Sequence, residues 1–182
     1  MLKFAFIAKM PGENPEKFVT TYENAESCNY VVGVDNMEEA KACVKKLANE
    51  GYSLLNLCGA FDDEITAELR TIAGAEVTIK NAKYTAEETA KKAVMERPLK
   101  QYGVIVVMDG VETPEDLVID GEVSTMEVIF VKDLAQAEDA ARKLTANGMK
   151  LIDLCSWFDR EKAEAVIAAM NCNVPVGTCG QL

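Results

Sequence analysis

The chain contains the segment Leu54-Leu55-Asn56-Leu57-Cys58-Gly59-Ala60-Phe61-Asp62 and repeats it as Leu151-Ile152-Asp153-Leu154-Cys155-Ser156-Trp157-Phe158-Asp159. The likeness extends in the N-terminal direction, because seven of the sixteen residues at 47–62 are identical to their counterparts at 144–159. Average residue usage would give roughly one identity by chance over this length. The chain is therefore a tandem duplication, and each copy has one cysteine at the same point.

Apolar periodicity and capping signals predict the same elements in both copies. Strands are expected at 4–8, 30–34, 53–57 and 76–79, and again at 104–108, 128–131, 150–154 and 173–176. A short first helix is expected to begin at Asn14-Pro15-Glu16 and at Thr113-Pro114-Glu115, since a capping residue before proline is a start signal. The second helices carry capping boxes at Asn36 and Glu39 and at Asp133 and Gln136, and they end at Gly51 and Gly148. Third helices start near Asp62 and Asp159.

Each copy therefore reads βαβαβαβ, and this alternation with short links predicts an α/β fold with a mainly parallel sheet. We expect two homologous repeats, residues 1–80 and 101–182, related by a pseudo-twofold axis and packed into one unit. Residues 81–100 are predicted to form a helical linker that Pro98 ends. The alternative is a compact, closed (βα)8-like barrel, which is disfavoured because roughly 200 or more residues are usual for one.

Composition restricts the partners and the chemistry. The formal net charge of −11 disfavours attraction to nucleic acid and to anionic membrane surfaces, so we expect neither as a partner. The six cysteines come without an export signal, which predicts free thiols and a cytoplasmic location. The chain contains no histidine, so any general base must be Asp, Glu, Lys, Tyr or a thiolate.

Ligands of parallel α/β sheets bind at the carboxyl ends of the strands, and both cysteine turns are predicted to lie there. Cys58 and Cys155 are the candidate catalytic residues, because a helix N-terminus beside a thiol lowers its pKa. The candidate ligand-binding residues belong to the same turns: Gly59, Phe61, Asp62, Trp157, Phe158 and Asp159. The alternative is structural: the cysteines fill the strand ends as small apolar residues, while the two aspartates cap the following helices.

Three functional hypotheses are compatible with this pattern. The first is a small-molecule-binding or accessory protein whose pocket at the strand ends is lined by Cys58, Phe61, Cys155, Trp157 and Phe158. The second is a cofactor-independent thiol enzyme, resembling a racemase or isomerase, in which the two cysteines act on opposite faces of a substrate. The third is a structural or partner-binding module. Because no phosphate-binding or dinucleotide motif and no CxxC spacing occurs, we expect no cofactor and no metal site.

The segment Leu57-Cys58-Gly59-Ala60-Phe61 resembles the Leu-Cys-Gly-Gly-Phe turn of a family of small bacterial α/β proteins classed as a domain of unknown function. Its other motifs match at Met10-Pro11-Gly12, Val32-Gly33-Val34 and Val174-Pro175-Val176-Gly177. The second copy departs from the motif at Cys155-Ser156-Trp157. The resemblance implies an α/β fold and a dimer-like pairing of two copies, within one pseudo-dimeric chain or in a homo-oligomer. It implies no activity.

Overall fold

The computed structural model describes residues 1–182 and contains ten strands and five helices. The strands are β1 (Leu2–Lys9), β2 (Val19–Glu23), β3 (Ser27–Val34), β4 (Leu54–Leu57), β5 (Thr78–Asn81), β6 (Gln101–Val107), β7 (Glu115–Asp120), β8 (Thr125–Val131), β9 (Leu151–Leu154) and β10 (Val176–Thr178). The helices are α1 (Met37–Asn49), α2 (Asp63–Ala73), α3 (Ala86–Ala93), α4 (Leu134–Ala146) and α5 (Arg160–Met170). None of these helices combines the length and the apolar character needed to cross a bilayer.

Each repeat forms its own five-stranded sheet. The strand orders are β2-β3-β1-β4-β5 and β7-β8-β6-β9-β10. In both sheets the edge pair, β2–β3 or β7–β8, is antiparallel and the other pairs are parallel. The predicted α/β fold with two homologous, mainly parallel repeats is therefore confirmed. The alternative of a closed barrel is wrong, because the strands divide between two separate sheets.

The short helices predicted at Asn14-Pro15-Glu16 and Thr113-Pro114-Glu115 are wrong, because a strand follows each start signal. Asn14 produces a single turn, in which its side chain accepts from the Glu16 N–H at 2.8 Å and its carbonyl accepts from the Phe18 N–H at 2.7 Å. The next residues, Val19-Thr20-Thr21-Tyr22, are β-branched or aromatic and favour an extended strand. Each copy therefore begins βββ, with a hairpin in place of the expected helix.

The capping predictions for the longer helices are confirmed. The Asn36 side chain accepts from the Glu39 N–H, and the Glu39 carboxylate accepts from the Asp35 N–H in return. Gln136 makes the same exchange, donating its N–H to Asp133 and accepting from the Lys132 N–H. Gly51 and Gly148 end α1 and α4 with φ values of 83° and 87°, a left-handed conformation that glycine adopts without steric cost.

Helices cover the outer face of each sheet, and the inner faces of the two sheets pack against each other. α1 and α2 contact the first sheet, while α4 and α5 contact the second. Between the sheets, the ring centroids of Phe6 and Tyr102 lie 6.4 Å apart, and Tyr22 stacks on Phe130 at 4.8 Å. One cluster of 48 buried apolar residues spans both repeats. Separating the repeats would expose the part of this core that lies between the two sheets to water.

A reciprocal contact between the repeats reveals their pseudo-twofold relation. Asn56 and Asp153 are the third residues of β4 and β9, and each accepts a hydrogen bond from the cysteine turn of the other repeat. The Gly59 N–H donates to Asp153 Oδ2 and the Ser156 N–H donates to Asn56 Oδ1, both at 3.1 Å. Equivalent patches therefore face one another, as in an isologous dimer interface.

The segment 81–100, predicted to be a linker, contains α3 and connects the two repeats directly. The backbone of Lys83 exchanges hydrogen bonds of 2.8 and 2.9 Å with Thr178 of the β10 strand. The buried carboxylate of Glu88 accepts from the Val176 N–H at 2.8 Å and from Lys91 Nζ at 2.6 Å. α3 is therefore fixed against the second repeat as well as joined to the first.

A buried glutamate joins the repeats at the opposite edge. Glu13 is 3% exposed, and its carboxylate accepts from the backbone N–H groups of Glu122, Val123 and Ser124 at 2.7 to 3.0 Å and from the Ser124 hydroxyl at 2.7 Å. These residues form the hairpin turn between β7 and β8. In the first repeat the corresponding turn is satisfied internally, because Asn24 Oδ1 accepts from the N–H groups of residues 26 and 27.

Glu13 should therefore be a major contributor to stability. Its replacement in Glu13→Ala leaves the buried Ser124 donors and two partly buried N–H groups without their acceptor, and we expect a loss of about 2–4 kcal/mol in the free energy of urea-induced unfolding near neutral pH. Glu13→Gln, which keeps one acceptor oxygen, should lose less. The exposed Glu16→Ala is the control and should change the free energy by less than about 0.5 kcal/mol.

The same contribution should depend on pH. Burial raises the pKa of Glu13, but its hydrogen bonds to Ser124 and to the turn N–H groups outweigh this effect, so the pKa is lowered overall. A lowered pKa in the folded state means that the stabilisation is present above the unfolded pKa and is lost as pH falls through the folded pKa. An equal difference between wild type and Glu13→Gln at about pH 7 and about pH 3 would contradict this account.

Candidate functional site

A pocket of about 320 Å³ lies at the carboxyl ends of β1 and β4, where the first cysteine turn meets the second repeat and the segment after α3. We call it the Cys58 pocket. Its volume is at the lower end of the range of about 300–1,000 Å³ that is usual for small-molecule sites. Its lining combines apolar and basic side chains: Lys9, Met10, Pro11, Cys58, Gly59, Ala60, Lys92, Arg97, Pro98, Leu99, Tyr102 and Leu151.

The cysteine turn has a backbone conformation fixed from both sides. The Cys58 N–H donates to the Ile7 carbonyl at 3.0 Å, and the Phe61 N–H closes the turn on the Cys58 carbonyl at 3.1 Å. Gly59 has no space for a Cβ atom, which would overlap the ring of Tyr84. A larger residue at this position would therefore displace the turn or the tyrosine.

Three basic residues, Lys9, Lys92 and Arg97, contribute to the pocket lining. Lys92 is half-buried, its Nζ donates to the Gly59 carbonyl at 3.0 Å, and it lies 4.0 Å from the centroid of the Tyr84 ring. Burial lowers the pKa of Lys92 from its ordinary value, and the nearby charge of Asp153 opposes this shift. Lys92 is thus held over the turn by a carbonyl and an aromatic ring.

A buried carboxylate, Asp153, lies behind the part of the pocket wall formed by Gly59 and Tyr102. Its Oδ1 accepts from the Tyr84 hydroxyl at 2.6 Å, and its Oδ2 accepts from the Tyr102 hydroxyl at 2.6 Å as well as from Gly59. Burial raises the pKa of Asp153, and the hydrogen bonds from Tyr102 and Tyr84 oppose this shift. Burial and the adjacent Asp153 raise the pKa of both tyrosines well above their ordinary value. The phenols therefore remain protonated donors to Asp153.

The environment of the two candidate catalytic cysteines disfavours thiolates. Cys58 is 5% exposed and Cys155 is 3% exposed. The sulfur of Cys58 accepts from the Lys9 N–H at 3.2 Å, and that of Cys155 accepts from the Val107 N–H at 3.4 Å. Even so, burial raises the pKa of Cys58 to about 11 and raises that of Cys155. The expected lowering of these pKa values by the helix N-termini is thus outweighed by burial, and the catalytic role remains a prediction.

A second pocket, of about 310 Å³, occupies the pseudo-equivalent place beside Cys155. We call it the Cys155 pocket. Trp157 lines it at the position of Ala60, and Val107 lines it at the position of Lys9. The Trp157 side chain is 41% exposed and packs edge-on against Phe158 at 5.0 Å. The two cysteines therefore line different pockets, whereas the sequence-based hypothesis named both turns for one pocket.

The remaining predicted site residues divide between lining and support. Gly59 lines the Cys58 pocket and Trp157 the Cys155 pocket, whereas Phe61 and Phe158 are buried beneath the turns and line neither. Asp62 and Asp159 cap α2 and α5 by accepting from the N–H groups of Ile65 and Lys162, as the structural alternative predicted. Their role as ligand-binding residues remains a prediction.

Several residues that line the pocket or support its wall were absent from the sequence-based candidates: Lys9, Lys92, Arg97, Tyr84, Tyr102 and Asp153. Most come from strand ends or from the segment 81–100, which carries no recognisable motif. One signal was available, because Asp153 places a charge in an apolar strand where the first copy has Asn56. A charge at a predicted core position indicates a polar network that satisfies it.

A larger groove, of about 710 Å³, lies on the outer surface of the first repeat between β2, β3 and α1. It is more open to solvent than the Cys58 pocket, and no residue of either cysteine turn lines it. We favour the Cys58 pocket as the site because it lies between the repeats and at the strand ends. No group of three or more Cys, Asp or Glu side chains is arranged to hold a metal ion.

Two homologous, mainly parallel repeats that pack sheet against sheet define an α/β protein of internal pseudo-twofold symmetry. A model of a family of unknown function, DUF6506, matches residues 2–96 and again residues 100–181. The chain therefore belongs to the DUF6506 family and carries two copies of its unit. The resemblance inferred from the cysteine turn is confirmed.

Comparison with other proteins adds little to this assignment. An ABC transporter system solute-binding protein from Conexibacter woesei DSM 14684 matches with a TM-score of 0.30 and 13% identity, over 93% of this chain and 68% of that chain. A likeness at this level carries no argument about the ligand. No curated protein matches the sequence.

The buried thiols should react slowly. At about pH 7.5, we expect iodoacetamide to modify Cys58 at least about 100-fold more slowly than it modifies an exposed cysteine in a short peptide, because both burial and the raised pKa reduce the accessible thiolate. Mass spectrometry of the time course measures each rate. A rate for Cys58 equal to that of the peptide would restore the basis of the thiol-enzyme hypothesis.

The charge of Asp153 should reduce stability as pH rises. Because its pKa is raised in the folded state, the stabilisation associated with the protonated form is complete below the unfolded pKa of about 4 and is lost as pH rises through the folded pKa. The unfolding free energy of wild type minus that of Asp153→Asn should therefore fall as the pH rises above about 4. Urea unfolding at several pH values measures this difference, and a constant value would contradict the assigned shift.

Proposed function

We propose that this protein binds a small molecule in the Cys58 pocket. The observation that carries the proposal is the place of this pocket, which is enclosed by the ends of β1 and β4, by the start of the second sheet and by residues 97–99. Apolar groups such as Met10 and Leu151 would remove water from a ligand, and the polar groups would orient it. Such a combination is typical of a binding site.

The fixed geometry of the turn supports this proposal. Gly59 donates its N–H to Asp153, and its carbonyl accepts from Lys92. The two peptide units on either side of Gly59, which form part of the pocket wall, are therefore held in place before any ligand binds. Preorganisation of this kind lowers the entropic cost of binding.

The thiol-enzyme hypothesis has less support. Cys58 and Cys155 line separate pockets, so they are not arranged to approach one substrate carbon from opposite faces. The raised pKa of Cys58, about 11, leaves little thiolate at neutral pH. No observation favours catalysis over binding.

We further propose that the protein is cytoplasmic and acts as a pseudo-dimeric monomer. All six cysteines are free, which fits a reducing compartment. The reciprocal contact between the repeats already supplies the pairing that a single-copy chain would obtain from a second subunit. Residues 81–100 would then act as a linker that also closes one side of the pocket.

Filling the Cys58 pocket should abolish binding. Ala60 is exposed at the place where the other repeat has Trp157, so Ala60→Trp introduces a residue that this turn already accommodates in the second copy. A thermal-shift screen of neutral, acidic and basic fragments should yield compounds that raise the Tm of wild type by about 5 °C at about 100 times their Kd. Ala60→Trp should remove the shift.

Trp157→Ala, which enlarges the Cys155 pocket, is the matched control and should keep the shift. A screen without hits, or hits that stabilise Ala60→Trp as strongly as wild type, would contradict the proposed function. Urea unfolding of each variant without ligand separates a loss of binding from a loss of folding.

A further inference from the structure

The charge around the Cys58 pocket is opposite in sign to that of the chain. The sequence has 30 acidic and 19 basic residues. The pocket lining nevertheless includes Lys9, Lys92 and Arg97 and no acidic residue. A small anion at this place would therefore meet a local positive potential on a protein that is negative elsewhere.

The three basic side chains retain hydrogen-bonding capacity for a ligand. None of them belongs to a salt bridge within the chain. Lys92 uses one of its three N–H donors on the Gly59 carbonyl. The nearby acid, Asp153, lies behind the pocket wall; its oxygens accept from Tyr84, Tyr102 and Gly59, and it makes no direct hydrogen bond to the three basic side chains.

The Cys155 pocket shows that the fold does not require this charge. Val107 takes the place of Lys9 there, and the charged lining residues are one acid and one base, Asp109 and Lys132. No residue of the segment 81–100 contributes to that pocket, so it has no counterpart of Lys92 or Arg97. The accumulation of positive charge is therefore a property of one pocket and not of the repeated unit.

We infer that the ligand of the Cys58 pocket is a small organic anion, whose acid group is held by Lys9, Lys92 and Arg97 while a short apolar body packs against Met10 and Leu151. The inference rests on the proposed function, because it names the chemical class of the ligand in the same pocket. A guanidinium can pair with two oxygens of a carboxylate or a phosphate at once. The apolar lining strengthens these interactions by excluding water.

Matched probes test the charge of the ligand directly. The full isotope-labelled chain is titrated with butanoate and butanamide, benzoate and benzamide, and glycerol 3-phosphate and glycerol, while the NMR signals of the Gly59 amide and the Lys92 side chain are followed. Each acid should perturb these signals and bind at least about tenfold more tightly than its neutral partner. The comparison of carboxylates with the phosphate ester identifies the preferred acid group.

Charge-removing variants assign the interaction to the pocket. Lys92→Gln should weaken binding of the best acid about tenfold, and Arg97→Gln should weaken it about three- to fivefold, because Arg97 is exposed and solvent screens its charge. Arg97→Gln removes no buried contact and so remains informative if Lys92→Gln unfolds. Lys132→Gln makes the same change in the Cys155 pocket and should alter binding by less than about twofold.

The outcomes separate this inference from the proposed function. If neutral partners bind as tightly as their acids and Ala60→Trp abolishes both, the ligand is not an anion, although the pocket binds small molecules. An equal effect of Lys132→Gln and Arg97→Gln would mean that only net charge matters and would overturn the inference. It is also wrong if no acid perturbs Gly59 or Lys92 at about 10 mM, a level at which even millimolar affinities are detected.

Discussion

Each sheet of this protein has an apolar inner face that packs against the other sheet and is thereby removed from water. The aromatic pairs between the sheets and the single core across both repeats follow from that constraint. The same packing creates the pockets. At each end of the interface, the carboxyl ends of the strands of one sheet lie beside the N-terminal ends of the strands of the other sheet. Gly59 and Ser156 donate across this boundary at equivalent places. Folding and site formation therefore depend on the same interface.

The two halves share a backbone plan but have diverged in coordinated groups of side chains. Tyr102 and Asp153 form a polar network behind the Cys58 pocket, whereas the corresponding register positions in the first repeat hold Phe4 and Asn56. Glu13 likewise accepts hydrogen bonds from the hairpin turn of the second repeat, which lacks the asparagine that accepts them in the corresponding turn of the first repeat. Because each of these changes is accompanied by a matching partner, the carboxylates of Asp153 and Glu13 remain hydrogen-bonded although the symmetry is broken.

The sequence predicted those features that depend on local, repeated signals. The duplication follows from one segment that occurs twice, and the mainly parallel strands, the capping boxes and the glycine stops follow from short patterns within each copy. The hairpin at Val19 was missed because a valid start signal at Asn14 is outweighed by the strand preference of the residues after it. The pocket was only half predicted: the cysteine turn marks its place, but Lys92 and Arg97 reach it from a distant segment. Residues that come together from distant parts of the chain produce no periodic pattern in the sequence.

Joining the two units in one chain changes what their interface must achieve. A covalent connection of about twenty residues keeps the partners at an effective concentration in the millimolar range, so an association of only about 4 kcal/mol is enough to hold them together. Separate subunits would also be obliged to carry identical pockets, since one gene would encode both. Fusion removes this obligation, and selection can then act on one half-site alone. Ala60 and Trp157 occupy equivalent positions in the two turns, and their difference is one that the loss of this symmetry requirement would allow.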